Sequence, residues 1–288
     1  MELTIRSLNK QYGSKKAVDG FSAVLTEGIY GLLGANGSGK TTLMRMICAL
    51  MKPTSGEVLL NGTNIVDMDE SYRDILGYLP QNFGCYTDFT AWDFMLYLSA
   101  LKGLPRMIAE ERCGELMEMA GLYDVRKKKI RTYSGGMRQR LGIAQSLIND
   151  PKILILDEPT VGLDPKERAK FRNIISDHST GKIVLLSTHI VSDVEYIADE
   201  IMIMKHGCLS QRNRAEHVCD NINGFVWWCE VAQGEVGYYE KEFVISNLKH
   251  NGEKTELRII SEKRPSSDAV SVSPNLEDLY LYHFKEDA

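Results

Sequence analysis

No uncharged apolar run in this chain approaches the ~20 residues that a helix needs to cross a bilayer, so any role at a membrane has to come through a partner. Cysteine is sparse and unpatterned. The six (Cys48, Cys85, Cys113, Cys208, Cys219 and Cys229) show neither paired metal-ligand spacing nor a disulfide framework, which fits a reducing compartment. Positive charge is not in surplus either: 34 Lys and Arg stand against 39 Asp and Glu, a formal net charge of -5. Such a balance argues against non-specific nucleic-acid binding as the main task. The basic cluster Arg126, Lys127, Lys128, Lys129 and Arg131 reads as a solvated face. The first residues, Met1 to Arg6, are strand-like and lack the apolar centre of a signal peptide. Internal repeats and low-complexity tracts are absent.

What the chain does have is Gly34-Ala35-Asn36-Gly37-Ser38-Gly39-Lys40-Thr41-Thr42. An apolar run with Ile29, Leu32 and Leu33 precedes it, as in a buried strand. A helix is expected over 42–51, with Leu43, Met46, Ile47 and Leu50 at helical spacing. Strand, glycine loop and helix form a P-loop arrangement. Glycines let the backbone wrap a phosphate chain with N–H groups pointing inward, and the helix N-terminus adds partial positive charge. Lys40 can reach the outer phosphates, and the Thr41 hydroxyl can sit on Mg²⁺.

Around that loop the pattern is α/β. Leu3 and Ile5 alternate with polar neighbours, 21–26 reads as a strand, and 57–60 with Asn61-Gly62 reads as the start of a hairpin. These pieces predict an antiparallel sheet. A parallel set is expected at 29–33, 75–79, 153–157, 183–187 and 201–204, with helices between, as in a doubly wound sheet. From Thr90 to about Arg126 the chain reads as purely helical. Thr90-Ala91-Trp92-Asp93 has the form of a capping box, Gly103-Leu104-Pro105 is a break, and a second helix is expected over 110–121 with Leu116, Met117 and Ala120 on one face. After about Arg212 the style changes to short strands (225–231, 242–245, 256–260) and a final helix opened by Ser273-Pro274, with Leu276, Leu279, Tyr280 and His283 as its buried stripe.

The strand ending Leu156-Asp157-Glu158 carries two carboxylates, a costly way to end a buried strand. Asp157 is placed to hold Mg²⁺, directly or through water. Glu158 could polarise an attacking water. Tyr133-Ser134-Gly135-Gly136-Met137 precedes it and opens a helix to about Leu147.

Together these motifs make the chain resemble the ATP-binding subunits of ABC transporters over about residues 1–210. The family signature, Leu-Ser-Gly-Gly-Gln, keeps its Ser and both Gly here and departs at Tyr133 and Met137. The resemblance implies a P-loop NTPase core of mostly parallel sheet flanked by helices, an antiparallel β subdomain and a helical subdomain inserted at about 82–132; with the change of style near Arg212, this gives an ATPase domain at 1–212 and an α+β accessory region at 213–288. It implies ATP and Mg²⁺ as ligands. Tyr12 matches the aromatic that stacks on adenine, and Val18 its apolar neighbour. Gln81 matches the residue that contacts Mg²⁺ and the attacking water, His189 the histidine that orients that water, and Asp164 the acid of a loop crossing the dimer interface. Ser134, Gly135 and Gly136 match the site that grips the γ-phosphate of ATP held by a second subunit, which is either an identical copy or a different chain.

The resemblance further implies a separate transmembrane permease and a place at the cytoplasmic face of the membrane, with no nucleic-acid partner. The aromatics in Gln81 to Phe89 either pack the helical insert or line the groove that receives the permease. The run Leu276 to Leu281 is similar to the closing helix of exporter-type ATPases, whose cargoes are drugs, peptides, lipids or polysaccharides. The competing class is a soluble ABC ATPase acting on ribosomes or nucleic acid. The interval between P-loop and signature is too short for the coiled coil of chromosome-organising relatives.

Overall fold

The computed structural model describes residues 1–285, and the chain divides into two compact units after Gln211. In the first unit a six-stranded sheet runs in the order Cys208–Arg214, Glu200–Lys205, Gly28–Leu33, Ile183–Thr188, Ile153–Asp157, Leu76–Leu79. From Glu200–Lys205 across to Leu76–Leu79 the pairings are parallel. A parallel sheet is covered on both faces and needs continuous apolar strands. Ile153–Asp157 and Ile183–Thr188 are buried at every position, which accounts for runs such as Ile153-Leu154-Ile155-Leu156.

The antiparallel sheet has the order Lys15–Leu25, Leu3–Tyr12, Ser55–Leu60, Thr63–Asn64. Asn61 (φ 48°) and Gly62 (φ 85°) make the two-residue turn of its last hairpin, as the Asn-Gly pair requires. The helix Lys40–Ile47 lies in the apolar core shared by the two sheets, with Leu43, Met44, Met46 and Ile47 buried among Leu3, Phe21, Leu32 and Ile155.

Several boundaries differ from the sequence reading. The helix after the P-loop stops at Ile47 instead of reaching Met51. Ala49 takes a left-handed φ of 54°, which ends the helix, and Leu50 is left 64% exposed outside the expected stripe. The second helix of the insert begins at Arg106, directly after Pro105, rather than at Glu110. The first, Ala91–Leu101, is capped as expected: the Thr90 hydroxyl accepts from Asp93 N–H at 3.1 Å. Leu116, Met117 and Ala120 are buried.

In the second unit four antiparallel strands run in the order Val244–Asn251, Lys254–Ile260, Val226–Ala232, Val270–Ser271. Where a strand was expected to open at Glu242, a helix (Val236–Glu242) ends, and the strand follows. The final helix, Leu276–Phe284, is capped by Asn275, not Ser273. Asn275 and Asp278 exchange side-chain-to-backbone bonds at 2.8 and 2.9 Å, a reciprocal cap that leaves Pro274 outside the helix. Its buried face holds Leu276, Asp278, Leu279 and Phe284, with Tyr280 and His283 only partly covered.

Asp278 is fully buried and held by Arg258 (Nη2 to Oδ2, 2.7 Å; Nε to Oδ1, 3.0 Å) and by the Ser246 hydroxyl at 2.7 Å. Removing one partner of a buried ion pair strands the other charge. Arg258→Ala is therefore expected to cost about 3–5 kcal/mol of stability, read by a urea melt of the whole chain. A shift under 1 kcal/mol would show that water reaches Asp278 after all.

Candidate functional site

The P-loop bends where its glycines allow. Gly37 and Gly39 have φ of 83° and 108°. A Cβ on Gly39 would lie 2.2 Å from Ala17 O and 2.9 Å from Met204 Cε, so no side chain fits there. The loop is thereby pressed against the start of the strand Lys15–Leu25. Ser38 O also accepts from Gly207 N–H at 2.9 Å, tying in the turn after Glu200–Lys205.

Lys40 is only 6% exposed, and its Nζ donates to Gly34 O at 2.7 Å and Ala35 O at 3.2 Å. At 3.3 Å it also meets Oε1 of Glu158, itself 3% exposed. Glu158 Oε2 lies 2.8 Å from His189 Nδ1. Three sequence-predicted residues from three separate elements thus form one chain of contacts, Lys40–Glu158–His189. Glu158 sits in a left-handed backbone conformation (φ 50°), unusual for a side-chain-bearing residue. Ser187 holds it there: its hydroxyl accepts from Glu158 N–H at 3.0 Å and donates to Asp157 Oδ1 at 2.7 Å.

Asp157 is fully buried at the end of its strand. Burial pushes its carboxyl above the usual range, against the pull of hydrogen bonds from Ser187 and Thr41. Its Oδ2 is buried without a hydrogen-bond partner. An orphaned carboxylate oxygen beside a threonine hydroxyl suits a hard cation such as Mg²⁺, which takes one or two carboxylates and leaves its other positions to water and phosphate. Among the described residues no cluster of three or more His, Cys, Asp or Glu competes as a metal site.

A cavity of about 450 Å³ opens from this point. It is lined by Asn36, Gly37, Gly39, Lys40, Thr41 and Thr42 of the loop, by Gln81 and Glu158, and by Tyr12, Lys15 and Ala17 at the far end. Tyr12 is half exposed there, its hydroxyl 3.0 Å from Met51 Sδ. Gly34 does not line the cavity; its carbonyl anchors Lys40. Val18 does not line it either. Alternation along the strand turns Lys15 and Ala17 to the cavity, while Val18 is fully buried in the core.

Ser134, Gly135, Gly136 and Asp164 also stand apart from the cavity. Ser134 is exposed and caps the helix Gly135–Ser146, accepting from Met137 N–H at 3.2 Å. Asp164, also exposed, caps Pro165–Asp177 through Glu167 N–H at 2.9 Å. The two helix starts are neighbours: Leu163 Cδ2 approaches to 3.4 Å of a Cβ built on Gly136, and Arg140 pairs with Glu167 at 2.7 Å.

Sequence reasoning missed three supporting residues. Ser187 is one. Gln139 donates from the signature helix to Pro159 O at 2.7 Å, just beyond Glu158. Asp193, fully buried, accepts from the hydroxyls of Thr160 and Thr188 and so joins the segments that carry Glu158 and His189. None belongs to a motif readable in the sequence, and only its position in the fold marks it.

The fold and this pocket define a P-loop ATPase of the cassette type. The family profile described as ABC transporter matches residues 21–161. The chain is 37% identical over 247 residues to the ABC transporter ATP-binding protein YxlF of Bacillus subtilis, covering 85% of this chain and 82% of that one. It is 37% identical over 214 residues to the bacitracin transport ATP-binding protein BcrA of Enterococcus faecalis, covering 73% and 68%. Among solved structures it resembles the dimeric structure of MJ0796, a bacterial ABC transporter cassette (TM-score 0.69, 26% identity, 74% and 98% covered). It also resembles a post-hydrolysis state of that cassette bound to ADP and Pi (TM-score 0.68, 25% identity, 74% and 98% covered). The chain belongs to the family of ABC transporter ATP-binding proteins and is an ABC ATPase.

Proposed function

We propose that this ATPase is the motor of an export system: two copies close around ATP and drive a separate permease at the cytoplasmic face of the membrane. The observation that carries the dimer is a separation within one chain. The Lys40–Glu158–His189 contacts lie with the cavity, whereas Ser134 and Gly135 face solvent elsewhere and Asp164 is exposed beside them. An exposed glycine-led helix N-terminus beside a capping serine is an anion site looking for a ligand that its own P-loop does not present. A second copy supplies that ligand.

ATP would place adenine on Tyr12 and its phosphates in the loop amides. The γ-phosphate takes the place of Glu158 as partner of Lys40, which frees Glu158 to accept a proton from the attacking water. His189, held at 2.8 Å from Glu158, orients that water. Gln81 reaches the same cavity. Asp157, Thr41 and Gln81 would hold Mg²⁺, whose chemistry here is to offset phosphate charge. Lys40 and the amides of Gly37 to Thr42 bind and align the triphosphate, and Ser134 to Gly136 of the second copy exclude water from its outer side.

No helix among the described residues is long and apolar enough to span a membrane, so the force has to be passed on. A second cavity of about 580 Å³ fits the permease. It is lined by Tyr78, Phe83, Tyr86, Phe94, Tyr97 and Leu101, among others. Phe83 and Phe94 pack edge to face (5.8 Å), while Tyr86 and Leu101 remain more than half exposed. The aromatics therefore both pack the insert and leave an apolar floor. Export is supported by relatives named for linearmycin resistance, Nod factor export and bacitracin transport.

ATPase rate per chain is expected to rise with protein concentration. Ser134→Arg is expected to cut the rate more than tenfold while ADP affinity of the monomer, measured by calorimetry, stays within about twofold. Constant specific activity on dilution together with a fully active Ser134→Arg chain would exclude the shared site.

A further inference from the structure

We propose that Lys15 is a nucleotide-binding residue of this chain, contacting the α-phosphate. The inference rests on reading the cavity as the ATP site and adds a contact that none of the sequence motifs contains.

Lys15 lines the same cavity as Tyr12 and the P-loop. It pairs across the hairpin with Tyr12, and Ala17, the next residue on the same strand face, presses its carbonyl against Gly39. Strand residues two apart lie about 7 Å from each other, within the length of a lysine side chain. The ammonium can therefore swing from the edge of the Tyr12 ring to the edge of the phosphate loop. A nucleotide with its base at Tyr12 and its outer phosphates in the loop puts the α-phosphate in that interval.

The surrounding cations are already engaged. Lys10 donates to Lys52 O at 2.7 Å, and Lys16 meets Asp19 at 3.1 Å on the other side of the strand. Lys40 is occupied by Glu158 and two carbonyls. Lys15 has no ion pair and no side-chain hydrogen bond among the described residues. Within the cavity, Glu158 and Lys40 cancel, which leaves Lys15 as the uncompensated charge facing an anionic ligand. An exposed ion pair contributes up to ~1 kcal/mol, or about fivefold in affinity.

The test is calorimetric titration of the full chain with ADP, which avoids turnover. Lys15→Gln is expected to weaken ADP about three- to fivefold at low salt and to have a smaller effect at 0.5 M salt, where exposed pairs are screened. Lys15→Arg keeps wild-type affinity. Lys16→Gln, the adjacent charge turned away from the cavity, also keeps it. Because Lys15 is exposed, its substitution leaves the packing untouched. Unchanged ADP affinity in Lys15→Gln, or an equal loss in Lys16→Gln, overturns the proposal while the ATP site stands. Failure of the wild-type chain to bind ADP at all overturns both.

Discussion

Glu158→Gln is expected to lower ATP turnover by roughly 100- to 10,000-fold, the range for losing a positioned general base, while ATP binding persists. The substitution preserves shape. A buried amide can still accept from Lys40 and still meet His189, so the neighbours at 3.3 and 2.8 Å keep partners. On the proposed mechanism it removes the proton acceptor and one negative charge beside the γ-phosphate. Losing that charge in each copy reduces repulsion across a closed pair. The variant should therefore accumulate as an ATP-linked dimer, visible by size-exclusion chromatography with ATP and absent with ADP. Wild-type single-turnover rates in Glu158→Gln would remove the residue from this role.

Lys40→Ala should act on binding and on stability at once. Lost charge-assisted bonds to phosphate are worth about 1.5–3 kcal/mol each, so ATP affinity is expected to fall by roughly 10- to 150-fold. The second effect follows from the Lys40–Glu158 pair. Lys40 is the buried cation against Glu158, and without it the carboxylate keeps only its contact with the half-exposed His189. The nucleotide-free chain should lose ~3 kcal/mol of stability for that reason. Combining Lys40→Ala with Glu158→Gln separates the two effects. The double variant should recover most of the stability and none of the affinity. A double variant no more stable than Lys40→Ala alone would mean the pair does not matter to the resting fold.

The parts of this site that the sequence displays are those built from consecutive residues. Gly34 to Thr42 is one loop, and Asp157-Glu158 closes one apolar run, so strand, loop and carboxylates are readable in order. The contacts among Lys40, Glu158 and His189 are not, because they join residues more than 30 positions apart through the neighbouring strands Gly28–Leu33, Ile153–Asp157 and Ile183–Thr188. Val18 is placed by resemblance alone, as the apolar neighbour of Tyr12; strand alternation seats it in the core and leaves Ala17 and Lys15 at the cavity. The early end at Ile47 shows how short-range pattern misleads: Leu50 fits the helical spacing, while the left-handed turn at Ala49 leaves no trace in composition. The edge strand Cys208–Arg214 escaped notice because its exposed residues carry no apolar run. Asn275 displaced Ser273 as a cap because only Asn275 stands three residues before an acid able to return the bond.

The collision that awaits any methyl group at Gly39 has a consequence for how ligands are measured. Backbone seated on backbone has no slack to take up. The distance from the Tyr12 hairpin to the phosphate cradle is set before a ligand arrives, and the pocket works as a fixed caliper whose jaws are two different sheets. Little ordering is left to be done on binding, so the entropy that a floppier cleft would lose is saved for the closing of two subunits.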